Sequence, residues 1–187
     1  MANSPELPED RLRWLVDREL IRDALARYAR GVDRVDPELI RSVYHPDSSD
    51  EHGFVVVSGD EFADQEWRSS ALRGPSHHLL GEPLIEITGD FAAVETYFIA
   101  HQRHGRPLQE VLAAPEREDA DGDHVSLFVG RYLDRFERRD GEWRIAHRKV
   151  VMDLAEESSE RPVHPLAGSF HQSARFPDDE AYHHLVP

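Results

Sequence analysis

Apolar residues recur at helical spacing through Leu12, Leu15, Val16, Leu20, Ile21, Ala24, Leu25, Tyr28 and Val32, which predicts a long amphipathic helix. Pro8-Glu9-Asp10 gives it a favourable acidic first turn, and Gly31 lies near its expected end. Asp36-Pro37 then restarts a second helix over PELIRSVYH, with Asp36 as N-cap and Pro37 in the first turn. His45–Glu51 reads as a loop and Gly53–Val57 as a short strand. Asp60–Arg73 reads as a third helix, capped by Asp60 or Ser58 and stopped by Gly74-Pro75.

The pattern then changes to strands. Leu79–Thr88 leads through Gly89-Asp90 into Ala92–His104, and Val125–Arg138 meets Glu142–Asp153 across Asp140-Gly141, a strong hairpin signal. Helices first and long strands afterwards predict an α+β fold, with a curved antiparallel sheet wrapped around three N-terminal helices. The domain is expected to span 8–154. Residues 105–124 form an insertion with a short helix at Leu108–Ala114. Residues 155–187 form a tail that packs on the domain or a neighbouring subunit through Phe170, Phe176 and Tyr182.

Composition narrows the function classes. With 37 acidic residues against 22 Lys plus Arg, the net charge of −15 argues against nucleic acid and anionic membranes as partners. There is no cysteine, so disulfides and thiolate chemistry are excluded. The N-terminal stretch lacks an apolar signal core, and a cytoplasmic location is expected. The 12 histidines raise the question of a metal, but His101 and His104 fall on opposite faces of a strand and His183-His184 lies in the tail. No metal and no cofactor are expected, and no nucleotide-binding or serine-hydrolase motif is present.

Two features carry chemistry. Asp33 closes the first helix on the edge of its apolar stripe, and His77-His78 precedes a strong strand. A carboxylate that orients an imidazole makes a general base for removing a proton from carbon. His77 and His78 point to opposite faces, and His78 shares parity with Leu80 and Leu84, so His78 is the expected base. Tyr28 lies on the apolar face, either as a core residue or as a donor to a substrate oxygen. Arg131 alternates with Val129 and Leu133 and is expected to face inward; Arg148 is the alternative late-strand arginine. Tyr44, His52, Trp67, His77, Tyr97 and Phe128 are expected around the pocket or its rim.

The segments IRDALARYARGVDRVDPELIRSVYHPD, HHLLGEPLIEITGDFAAVETYFIAHQR and GRYLDRFERRDGEWRIAHRKVVMDL resemble, in that order, the SnoaL-like branch of the nuclear transport factor 2-like superfamily. The resemblance covers about Leu12 to Leu154. It implies a cone-shaped α+β barrel around one deep, mainly apolar pocket. Its enzymes include scytalone dehydratase and bile acid 7α-dehydratase, a dehydrochlorinase, ketosteroid isomerase and polyketide cyclases; other members only bind ligands.

The resemblance implies an Asp–His dyad at Asp33 and His78, with Tyr28 matching a catalytic tyrosine. The expected function is a cofactor-independent, dehydratase-type lyase acting on a small, mostly apolar or aromatic oxygenated substrate. An isomerase or cyclase using the same dyad, or a non-catalytic binding domain, are the alternatives. Exposed apolar positions on the late strands predict a homo-oligomer, dimer or trimer.

Overall fold

A computed structural model describes residues 8–53, 55–68, 73–105, 124–159 and 165–183. Helix α1 (Glu9–Arg34) runs one turn past Gly31, and α2 (Pro37–Arg41) follows at a corner. At the corner Val35 adopts the left-handed conformation (φ 54°), and the Asp36 N–H reaches back to the Gly31 carbonyl at 2.8 Å. Asp36 caps α2 as expected, accepting from the Leu39 N–H at 3.0 Å. Gly31 is required by packing: a Cβ there would lie 2.8 Å from the Ile40 side chain.

The strands are β1 (Tyr44–His52), β2 (Val55–Val57), β3 (Arg73–Leu80), β4 (Leu84–Thr88), β5 (Phe91–His104), β6 (His124–Arg139) and β7 (Glu142–Ser159), with α3 (Gly59–Arg68) between β2 and β3. They form one seven-stranded sheet in the order β2-β1-β7-β6-β5-β3, with β4 also on β5. The α+β class stands. The sheet is mixed, because β1 runs parallel to β7, and it stays open between β2 and β3, so no closed cone forms.

Five element boundaries differ from expectation, and the first is that α2 ends at Arg41 instead of running to His45, because Tyr44 and His45 already belong to strand β1. His45–Glu51 lies within a strand: its inward positions are Ser48 and Asp50, satisfied by hydrogen bonds from the Gly59 N–H and the Tyr44 hydroxyl, so no hydrophobic alternation marks it. Helix α3 ends at Arg68, short of Arg73, and Gly74-Pro75 begins the edge strand β3, where proline costs no ladder bond. A Ser58–Glu61 capping box opens α3. The segment Leu79–Thr88 is two strands split at Gly81–Pro83; across the split Ile85 turns inward and Leu84 is exposed, so His78 and Leu84 do not share a face. Strand β7 continues to Ser159, taking five residues from the expected tail. The expected helix at Leu108–Ala114 lies outside the described residues.

The core is Ile21, Ala24, Leu25, Tyr28 and Val32 of α1 packed on Phe98, Tyr132, Phe136 and Ile145 of the sheet. The front half of the predicted α1 stripe is not part of it. Leu12, Leu15, Val16 and Leu20 are exposed, and Asp17 faces inward instead, accepting from Arg138 and from Trp143 Nε1 at 2.8 Å. In the tail, Phe176 and Tyr182 meet the α1–α2 corner: the Phe176 N–H donates to the Arg34 carbonyl and the Tyr182 hydroxyl to Asp36. Phe170 is 71% exposed and anchors nothing among the described residues.

Candidate active site

Arg22, Ala26, Ala29 and Asp33 follow one another at i, i+4, i+7 and i+11, a stripe of α1 beside the one that faces the core. This stripe faces β3. Its two alanines leave space where larger residues would fill it, and a cavity of about 380 Å³ opens there. Leu25, Ala26 and Ala29 form one wall and His78, Leu80 and Thr96 the other; Arg22 and Glu82 stand at the rim.

At the C-terminal end of the stripe, Asp33 and His78 meet. His78 Nδ1 lies 2.7 Å from Asp33 Oδ1, and the His78 backbone N–H donates to Oδ2 at 2.9 Å. The Ser76 hydroxyl donates to Oδ1 at 3.1 Å. Both side chains are 7% exposed. Burial works to raise the Asp33 pKa, but the hydrogen bonds and charge of His78, with Ser76, outweigh it and hold the carboxyl below its ordinary value. An ionised Asp33 accepts only, so the neutral ring carries its proton on Nδ1 and keeps the lone pair on Nε2. His77 points to the outer face and is exposed, as strand alternation requires.

The remaining expected site residues fall into three groups. Tyr28 is 1% exposed and packs in the interior against Tyr44, Phe62 and Tyr132; it is not among the described residues that line the cavity. Arg148 shares that interior. It is fully buried, sits 4.0 Å from the Tyr28 ring centre and 4.2 Å from that of Tyr132, and forms a two-point ion pair with Asp134 at 2.7 and 2.6 Å. Burial opposes the charge of Arg148, and the Asp134 carboxylate outweighs it, so the guanidinium stays firmly protonated. Phe128 is partly buried against this core.

Tyr44 and His52 form a second cluster around Asp50, which is 0% exposed and accepts from the Tyr44 hydroxyl at 2.5 Å and from His52 at 3.0 Å. His52 also stacks on Phe62, 5.0 Å between ring centres. Burial tends to raise the Asp50 pKa, and His52, Arg148 and Tyr44 together pull it below its usual value.

Arg131 and Tyr97 correct the expectation outright. Arg131 lies on the outer face, paired with Glu95 at 3.1 Å and Asp153 at 3.6 Å, and Tyr97 beside it is 57% exposed. The inward row of β6 is Phe128, Gly130, Tyr132, Asp134 and Phe136. Asp134 and Gly130 made that row look polar: the first is there to hold Arg148, and the second because a Cβ would meet the Val151 carbonyl at 2.3 Å. The side chain of Trp67 lies outside the described residues.

Sequence reasoning missed Ser76, Thr96, Arg22 and Asp50. The Asp50-x-His52 spacing, two apart on one strand face, and the i, i+4, i+7, i+11 stripe were the available signals.

The sequence profile of the SnoaL-like domain matches residues 13–149. The chain belongs to the SnoaL-like family. No curated protein matches it. Among solved structures, this SnoaL-like domain is similar to a type 2 hexachlorocyclohexane dehydrochlorinase, LinA, with 17% identity, a TM-score of 0.67, and 83% of this chain and 98% of that one covered. The type 3 enzyme of Novosphingobium barchaimii gives 18%, 0.61, 82% and 96% in the same order. The protein Kfla4162 of Kribbella flavida gives 21%, 0.61, 75% and 93%. At such identities the likeness is one of fold. Some relatives of the SnoaL-like domain are thus lyase-type enzymes, while another, from Mycobacterium tuberculosis, is described as a protein of unknown function.

Proposed function

We propose that the chain is a cofactor-independent lyase that eliminates water from a small, mostly apolar oxygenated substrate. The observation that carries this reading is the 2.7 Å bond from His78 Nδ1 to a buried, ionised Asp33, on a histidine that lines the cavity. Asp33 fixes the tautomer and favours the imidazolium that forms in the transition state. His78 Nε2 takes the proton from carbon; the electrons of the broken C–H bond form the C=C bond as the neighbouring C–O bond breaks. The imidazolium returns the proton to the departing oxygen, and water leaves. Three donors already hold the carboxylate before substrate arrives, so the base needs no reorganisation.

An isomerisation or an aldol-type cyclisation would begin with the same proton abstraction. Arg131 is on the wrong face to assist, and Tyr28 serves the interior packing. The named lyases among the fold relatives add support at the level of fold only. A panel of cyclic β-hydroxy ketones, followed by the ultraviolet absorbance of the enone product, tests the reading. His78→Ala abolishes turnover and Asp33→Asn lowers it by about 10²- to 10⁴-fold, each with the circular dichroism spectrum intact; full activity in either variant overturns it. We also propose a homo-oligomer formed through the outer face of the sheet.

A further inference from the structure

Most histidines on the described strands are tied to an oxygen. His45 meets the Glu137 carbonyl, His52 Asp50, His78 Asp33, His124 Glu157 and His147 the Ser49 hydroxyl. His104 is buried. His77 and His101 are different: both are exposed, and neither ring has a partner among the described residues. They are also register partners, directly opposite each other on β3 and β5. Spacing along the chain compares His101 with His104, which falls on the opposite face; the sheet register brings it to His77 instead.

Alternation puts the pair on the outer face, away from the cavity, since the next register pair, His78 and Ala100, faces inward. Directly opposite residues of an antiparallel pair have Cβ atoms about 4.5–5.5 Å apart. Two imidazoles at that spacing can converge on one ion, with nitrogen–metal bonds of about 2.0–2.1 Å. Their neighbours do not compete for it. Leu79 and Ile99 form the register pair on one side, and Leu127 is the partner of His101 on β6. Arg103, two residues along β5, has a partner of its own. The net charge of −15 favours a cation at this surface.

We propose that His77 and His101 chelate one divalent late-transition-metal ion, zinc or copper(II), on the outer face of the sheet. Among the described residues no three His, Asp or Glu side chains gather into a metal-binding group. The site is therefore a two-point chelate, and water fills the other coordination positions. The ion bridges β3, which lies at the end of the sheet, to β5. The inner face of β3 carries Ser76 and His78 against Asp33. A bridge one residue from His78 staples the strand that bears the candidate base without entering the cavity. The proposal stands on the sheet register and does not depend on the reaction proposed above.

The test is calorimetric titration of the full chain, freed of metal with EDTA and dialysed, with zinc chloride and with copper(II) chloride. The wild type binds one tight ion per chain, copper(II) more tightly than zinc, and gives no heat with magnesium, which prefers oxygen ligands. His77→Gln and His101→Gln each weaken that binding by about 10²-fold, the advantage of two tethered ligands over one. Replacing the exposed His171 and His183 by Gln leaves it unchanged. Electron paramagnetic resonance of the copper(II) form shows two coordinated imidazole nitrogens in the wild type and one in either single variant. Two weak, independent sites, each lost with its own histidine, overturn the chelate. So does tight binding that survives in the double variant His77→Gln/His101→Gln, or a wild type that binds neither metal. None of these outcomes bears on Asp33 and His78, whose test is turnover.

Discussion

Asp33 grips His78 twice, through the ring Nδ1 at 2.7 Å and through the backbone N–H at 2.9 Å, using one carboxylate oxygen for each. The same acid therefore sets both the position of strand β3 against α1 and the orientation of the imidazole. The last turn of α1 is a poor place for a negative charge, because the helix dipole opposes it there. Three hydrogen bonds offset that cost, and their geometry is what makes the pair chemically useful.

Removing parts of this arrangement has graded effects. Ser76→Ala deletes one neutral donor to Oδ1; it lowers kcat about 3- to 10-fold and costs about 1 kcal/mol of stability. Asp33→Asn leaves no charge to favour the imidazolium and lowers kcat by about 10²- to 10⁴-fold. Steady-state kinetics and urea unfolding on the same preparations measure both. Equal losses in the two variants would show that the charge of Asp33 is unimportant.

The depressed pKa of Asp33 has a definite sign in stability. Burial pushes it up, His78 and Ser76 push it down further, and the folded state binds the proton less tightly than the unfolded chain. This contribution is complete above about pH 4, the ordinary carboxyl range, and is lost as pH falls through the lower folded value. Asp50 contributes with the same sign. In Asp33→Asn the Asp33 share is absent at every pH, so its unfolding free energy falls less between about pH 5 and pH 2 than that of the wild type. Urea midpoints across that range check this, and parallel curves would contradict it.

What could be seen in the sequence was whatever hydrophobic periodicity or turn chemistry marks. The α1–α2 corner was legible because Asp36-Pro37 is a cap followed by a first-turn proline. The β6–β7 turn was legible because Asp140 and Gly141 both take positive φ (53° and 86°). Strand β1 was not, because its inward face is a hydrogen-bond network around Asp50. The face of β6 was misassigned for a related reason: the buried pair Asp134–Arg148 puts charge where the pattern expects apolar residues. Asp33 was found because it closes the first helix and His78 because it precedes the apolar run at Leu79, although β3 already begins at Arg73; their contact was expected from the family resemblance.

The proposed oligomer has a measurable surface. Leu79, Ile99, Val129 and Leu154 are register partners across β3, β5, β6 and β7, and they form one apolar row on the outer face. Leu79 is 58%, Ile99 45% and Leu154 43% exposed, with Tyr97 and Met152 beside them. A second copy of the chain covers such a row in the proposed assembly. Ile99→Lys places a charge at its centre and shifts the species seen by light scattering to the monomer, with the far-ultraviolet spectrum unchanged. A wild type that is already monomeric at 100 μM would rule the interface out.

The interior ion pair makes the sharpest stability prediction. Arg148 and Asp134 are both 0% exposed in their side chains, the guanidinium lies between the rings of Tyr28 and Tyr132, and its Nη1 has no partner among the described residues. Removing one member strands the other as an uncompensated buried charge, so Arg148→Met and Asp134→Leu each cost about 3–5 kcal/mol. The double variant removes both desolvation penalties. It also keeps an apolar side chain against the two tyrosine rings, and it recovers most of that loss. Tyr28→Phe, which keeps the ring against the guanidinium, costs about 1 kcal/mol and leaves kcat near that of the wild type, because the hydroxyl stands outside the His78 cavity. A double-variant cycle by urea unfolding, with kinetics on Tyr28→Phe, separates the two roles. If Tyr28→Phe lost activity as Asp33→Asn does, the catalytic site would extend into the aromatic interior.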